Sequence, residues 1–185
     1  MSADLGLQAS TAHMPNLLPH CISDDEFRTQ LASLNVKQWE FFTHVMQWVS
    51  TKSEPLHVFL TGGADVGKSV LIKTLHQALQ RHMCSREGTN PEDCRILLCA
   101  PTGKAAYNIN GCTIHSAFQT DPNHGFNYKK LTSDRLNTLQ VKYRHLSVVI
   151  IDEVSMMGNK QLLLCIWGCK KSKKTESHSV AFIWA

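Results

Sequence analysis

Two short stretches of this chain carry side chains of the type and spacing that phosphate chemistry needs. In the first, Gly62 is followed by Gly63, Ala64, Asp65 and Val66, and then by Gly67-Lys68-Ser69. Glycines at the ends of such a loop let backbone N–H groups turn toward an anion with no Cβ in the way. Lys68 can bring a point charge to the β and γ phosphates of a nucleotide, and the Ser69 hydroxyl can complete a Mg²⁺ shell with phosphate oxygens and water. The second stretch is Asp152-Glu153, directly after the apolar run 147–151. There the first carboxylate is suited to hold Mg²⁺, through water, and the second to polarise an attacking water. Taken singly, each has a plainer reading: a glycine-rich turn before an ordinary helix, and a solvated strand end.

Asp65 runs against the rest of its loop. A carboxylate about 6 Å from the β and γ phosphates costs roughly 1–3 kcal/mol, so binding is expected to be weak unless the side chain turns outward. Asp tolerates the left-handed backbone region that would allow this.

The flanking residues supply the elements that must hold these groups. Residues 58–60 form a short apolar strand ahead of the loop, and an amphipathic helix is expected from 68 to 82. Residues 95–100 and 147–151 are continuous apolar runs bounded by turn residues, the pattern of strands covered on both faces in a parallel sheet. Upstream, Ser23 with Glu26, and Asn35 with Gln38, are helix-start signatures. They open a short helix carrying Phe27, Leu31 and Leu34 and a longer one over 36–50 carrying Val36, Trp39, Phe42, Val45, Met46 and Val49 as core. Residues 119–130 form a loop, and a weak helix is expected over 132–141. Strands alternating with helices predict an α/β fold with a parallel sheet and the ligand outside the strand C-termini.

Composition sets looser bounds. The 185 residues are 43% hydrophobic and 18% charged, with formal charge +4, which suits one globular domain and permits a polyanionic partner. No apolar run reaches the roughly 18 residues of a membrane span, and no secretory signal is evident at the start. Seven cysteines, several of them in apolar elements, read as reduced thiols of an intracellular protein. Cys165 and Cys169 would make half a metal site, with no second pair at matching distance.

Four stretches in order resemble one family: Leu34-Asn35 with Gln38; Gly62 to Ser69; the run APTGKAAYNINGCTIHSAF at 100–118; and VVIIDEVSMMG at 148–158. They resemble the Pif-type DNA helicases of superfamily one, RecD-like motors whose domain also occurs in Helitron transposon proteins. The third stretch is the most specific, and it argues against an unrelated P-loop ATPase or kinase. The resemblance implies a P-loop NTPase (RecA-like) three-layer sandwich and an ATP-dependent helicase that uses ATP and Mg²⁺. Such motors travel along single-stranded DNA from its five-prime end and serve repair, recombination and telomere maintenance, in the nucleus and also the mitochondrion. By that likeness Gln38 would contact the adenine, Lys68 and Ser69 the phosphates and Mg²⁺, Asp152 the metal and Glu153 the hydrolytic water. Pro101, Thr102, Gly103 and Lys104, with Thr113, His115 and Ser116, would touch the single-stranded DNA backbone. Gln38 as a simple helix cap and His115 as a hydrogen-bonded core residue stand as alternatives, and oligomeric state is left open.

The likeness covers about residues 31–164 and has two departures. Asp65 stands where the family has Gly, and the chain stops soon after Asp152-Glu153. The sensor strand, the second RecA-like domain and the arginine that would reach the γ phosphate are therefore expected to be missing, leaving an incomplete motor that is inactive alone. Residues 1–22 read as a flexible arm, 23–164 as the motor domain, and 165–185 as a foreign tail with a lysine-rich run at 170–174 and an apolar end. The lysine run is either an import or nucleic-acid patch or a solvated segment. A degenerate nucleotide- or DNA-binding module without turnover is the rival function.

Overall fold

The computed structural model describes residues 21–51, 56–63, 65–84, 93–119, 133–159 and 181–185. Residues 1–20, most of the loop at 119–130, Cys165, Cys169 and the lysine run lie outside them.

Helices α1 (Asp24–Ala32) and α2 (Val36–Thr51) precede strand β1 (His57–Phe59) and helix α3 (Lys68–Cys84). Strand β2 (Ile96–Ala100), helix α4 (Gly103–Asn108), strand β3 (Cys112–Thr113) and helix α5 (Ile114–Phe118) follow. Helix α6 (Ser133–Lys142), strand β4 (Val148–Ile151) and strand β5 (Ala181–Trp184) complete the order. Both helix-start signatures form. Ser23 Oγ accepts from the Glu26 N–H at 3.2 Å. At α2 the pair is reciprocal: Gln38 Oε1 accepts from the Asn35 N–H at 2.9 Å and Asn35 Oδ1 from the Gln38 N–H at 3.0 Å, which satisfies two otherwise unpaired donors.

All strands pair in parallel, in the order β1-β5-β4-β2-β3. Alternate residues divide the core into two layers, as the period of two in a strand requires. Leu98, Ala100, Val148, Ile150, Ala181 and Ile183 face Phe42, Val45, Val49, Leu71, Ile72, Leu75 and Leu79 of α2 and α3. Leu97, Cys99, Val149, Ile151, Phe182 and Trp184 face Ile114, Phe118, Leu139 and Tyr143 on the other side. The result is a helix-sheet-helix sandwich. β4 and β5 are buried at every residue, and each such aliphatic side chain contributes about 1.5–3 kcal/mol on leaving water.

The apolar end of the segment read as a tail forms β5, seated between β1 and β4 with registers His57↔Phe182 and Val148↔Ala181. A four-residue strand with no motif of its own carries no sequence signal for where it pairs; burial on both faces decides it. The sheet is thus continuous from β1 to β3. β3, α4 and α5 are also additional to the sequence reading.

Two local features set stability. A Cβ at Gly111 would lie 2.5 Å from the Leu98 carbonyl oxygen, because the chain between α4 and β3 crosses directly over β2. Gly111→Ala should therefore cost about 1–3 kcal/mol, read as a lower urea midpoint. On α3, burial pushes His76 down to about 4 from an ordinary 6.5. The fold holds the neutral imidazole while the unfolded chain takes up a proton, so this contribution is full above pH 6.5 and is lost as pH falls toward 4. Between those values the wild-type melting temperature should drop more steeply than that of His76→Gln.

Candidate functional site

The phosphate-loop residues emerge from the C-terminal end of β1 and the acidic pair from that of β4, so both open on one sheet edge, and β5 locks them together. The Leu60 N–H donates to the Trp184 carbonyl at 2.6 Å, the Ala185 N–H to the Ile151 carbonyl at 2.9 Å and the Val154 N–H to the Ala185 carbonyl at 2.8 Å. Residues 184–185 therefore brace the start of the loop on one side and both flanks of Asp152-Glu153 on the other. Among the described residues, β5 is also the strand through which β1 joins the sheet.

Within the loop, Lys68 Nζ donates to the carbonyls of Gly62 at 2.8 Å and Gly63 at 2.9 Å. The ammonium is held over the loop, where a nucleotide's phosphates would compete for it. Gly67 has φ +82°, a backbone conformation that requires glycine, and a Cβ there would lie 2.8 Å from Gln38 Nε2, displacing that amide. At Gly62 a Cβ would stand 2.9 Å from Val66 Cγ2, so the Val66 side chain would have to turn. Asp65 takes the left-handed conformation, φ 58°, and is exposed. Ser69 is partly buried in the first turn of α3. Ala64 lies outside the described residues.

Gln38 serves the loop as well as its own helix. Its Nε2 donates to the carbonyls of Val66 at 3.1 Å and Gly67 at 3.3 Å, while its Oε1 caps α2. The cap reading is thus realised, and it fastens α2 to the phosphate loop.

The two carboxylates differ. Asp152 is only 4% exposed. Burial raises its pKa; the Glu153 N–H, donating to Oδ1 at 3.0 Å, opposes this, the Glu153 charge adds to it, and Lys68 opposes it. Glu153 is exposed, has φ 56° and makes no capping bond with its side chain. A left-handed glutamate costs about 1–2 kcal/mol, and strain of that kind gathers where function over-determines the backbone. Among the described residues no three His, Cys, Asp or Glu side chains form a metal cluster. The Ser69 hydroxyl, from the first turn after the loop, and the Asp152 carboxylate, from the end of β4, are hard oxygens of the kind Mg²⁺ takes when phosphates and water fill its other positions.

The third group of residues lies on the same edge beyond β4. Cys99 pairs with Cys112 and Ala100 with Thr113, so the turns after β2 and β3 are neighbours. Thr102 Oγ1 caps α4 by accepting from the Ala105 N–H, and Thr113 Oγ1 caps α5 by accepting from the Ser116 N–H, each at 3.2 Å. Gly103 and Lys104 are exposed, whereas Pro101, His115 and Ser116 are partly covered. A Cβ at Gly103 would meet nothing within 4 Å, so packing does not demand a glycine there. Cys21, Cys94, Cys99 and Cys112 form no disulfide, and burial pushes Cys94 up to about 11.

A family model described as an AAA domain matches residues 46–172. The chain belongs to that family. It is 34% identical over 136 residues to the ATP-dependent DNA helicase PIF1 of Emericella nidulans, a match covering 70% of this chain and 16% of that protein. Its fold is similar to the crystal structure of Pif1 helicase from Candida albicans (TM-score 0.60, 24% identity, 82% of this chain and 32% of that one). It is also similar to the Bacteroides Pif1 helicase solved with ADP-AlF3 and single-stranded DNA (TM-score 0.51, 20% identity, 79% and 31%). The chain spans between 10% and 22% of the length of the first curated relatives. No helix among the described residues is long and apolar enough to cross a membrane.

An uncharged isostere at position 152 would keep the bond from the Glu153 N–H and remove a buried charge. Asp152→Asn should therefore raise the melting temperature at pH 7, with the advantage shrinking as acid protonates the wild-type carboxyl. A lower melting temperature at pH 7 would contradict the burial penalty.

Proposed function

We propose that this chain binds ATP with Mg²⁺ at the loop 62–69 and forms the nucleotide-hydrolysing motor domain of a DNA helicase. Hydrolysis would be coupled to five-prime-to-three-prime movement on single-stranded DNA, in nuclear or mitochondrial repair, recombination and telomere maintenance. The observation that carries the reading is the convergence of Lys68, Ser69, Asp152 and Glu153 on one sheet edge, with β5 fixing the spacing between their two strands.

The residues have distinct tasks. Lys68 exchanges its bonds to Gly62 and Gly63 for phosphate oxygens, and the N–H groups of the loop and of the first turn of α3 face the same anion. Ser69 and Asp152 would hold Mg²⁺, which when bound neutralises charge on the β and γ phosphates. Glu153, exposed and uncommitted, orients and deprotonates the attacking water. Gln38 keeps the loop against α2 and stands where an adenine contact is proposed. Pro101, Thr102, Gly103 and Lys104, with Thr113, His115 and Ser116, would follow the phosphodiester backbone, Thr102 and Thr113 also shaping their turns as caps.

A specific observation favours binding without turnover as a second reading. The described arginines lie in α1 (Arg28), in the last turn of α3 (Arg81), in α6 (Arg135), and ahead of β2 and β4 (Arg95, Arg144), none of them in the loop that follows β1 or in the acidic turn after β4. An arginine at the γ phosphate is worth about 10³–10⁵ in rate. Equilibrium binding of a fluorescent ATP analogue, followed by phosphate release with and without oligo(dT), separates the readings. Lys68→Ala should weaken analogue binding about ten- to a hundredfold, the loss of charge-assisted hydrogen bonds. Analogue binding without DNA-stimulated release would leave the binding module, and no binding in a folded chain would sink both.

A further inference from the structure

We infer that the outer face of α4 is a subsite for one nucleotide of single-stranded DNA, with Tyr107 stacking on the base and Lys104 pairing with the adjoining phosphate. The inference rests on the proposed function and adds a base contact to an otherwise phosphate-directed edge. Helix α4 buries Ala105, Ala106 and Ile109 against the sheet, and the opposite arc carries Lys104, Tyr107 and Asn108, all exposed. Tyr107 is 83% exposed, the most exposed large apolar side chain among the described residues. Its ring has no hydrogen bond or ring contact there, so neither packing nor capping explains an aromatic at this position.

The geometry suits one nucleotide. Residues three apart on a helix hold their Cβ atoms about 5–6 Å from each other, so the Lys104 ammonium and the Tyr107 ring can reach a phosphate and its base together. Gly103, one residue before Lys104, has open space where its Cβ would be and no positive φ. A bare backbone there gives a phosphate room to approach. An exposed aromatic beside a cation is the combination by which proteins hold single strands, the ring accepting any base because every base has a π face.

The test is fluorescence anisotropy of labelled oligo(dT) on the full chain, with an abasic oligonucleotide of equal length as a second probe and thermal melts to establish folding. Tyr107→Ala should weaken oligo(dT) binding about tenfold or more, and Tyr107→Phe should stay within about twofold of wild type. On the abasic strand Tyr107→Ala should have no effect while Lys104→Ala still weakens binding. If folded Tyr107→Ala binds oligo(dT) as wild type does, the stacking subsite is wrong and the helicase reading stands. Equal losses on both strands would also overturn the base contact. If wild type binds the ATP analogue but neither oligonucleotide, the DNA half of the proposed function fails and takes this subsite with it.

Discussion

The two halves of the candidate site share no strand. The phosphate loop hangs from β1 and the acidic pair from β4, and what sets their separation is the width of a single strand. β5 fills that width through the backbone: Trp184 accepts from Leu60, and Ala185 bonds both Ile151 and Val154. Neighbouring strands lie about 4.8 Å apart, so the spacing between Lys68 and Asp152 follows from the ladder and not from loop flexibility. Aromatic rings reinforce the seam, with Phe59 stacked on Trp184 at 5.9 Å and Phe182 on Trp184 at 5.3 Å.

On that frame the site is assembled from groups that work against folding. Asp152 is a charge kept out of water, Glu153 and Asp65 sit in left-handed backbone, and Lys68 spends its donors on carbonyls of its own loop. A bound polyphosphate with its cation would relieve the first and the last of these: the buried carboxylate would gain a counter-charge and the ammonium an anion. Gln38 offsets part of the cost by tying the loop to a well-capped helix. Stability comes from the two apolar layers, which leave this edge free to be strained.

Most of the edge was legible in the residues, because its chemistry needs particular types at fixed spacing. Gly62, Gly67, Lys68 and Ser69, and a carboxylate pair after an apolar run, permit few other meanings. Strands β2 and β4 announced themselves by unbroken hydrophobicity, and the Asn35–Gln38 box by its three-residue spacing. What escaped was fixed by tertiary contact alone. Ala181 to Trp184 look like any apolar chain end until their neighbours are known, and β3 is too short to show a period. Gly111 reveals its role only where the chain passes over the Leu98 carbonyl. The second duty of Gln38 depends on a loop distant in sequence, and Tyr107 draws notice only once α4 is seen to bury its opposite face.

The position of β5 also governs the order in which the molecule can form. Strands β3 and β4 can each pair with β2 as soon as they emerge, because β2 is already made. Among the described strands β1 comes first in sequence and must wait, because its partner β5 lies more than 120 residues further along. Until then an apolar strand and a phosphate loop stay unpaired beside a growing sheet, exposed to wrong partners through the slow closure that distant parallel pairing entails. The edge that carries both the loop and the acidic pair is therefore assembled only once β5 has closed the gap between their strands.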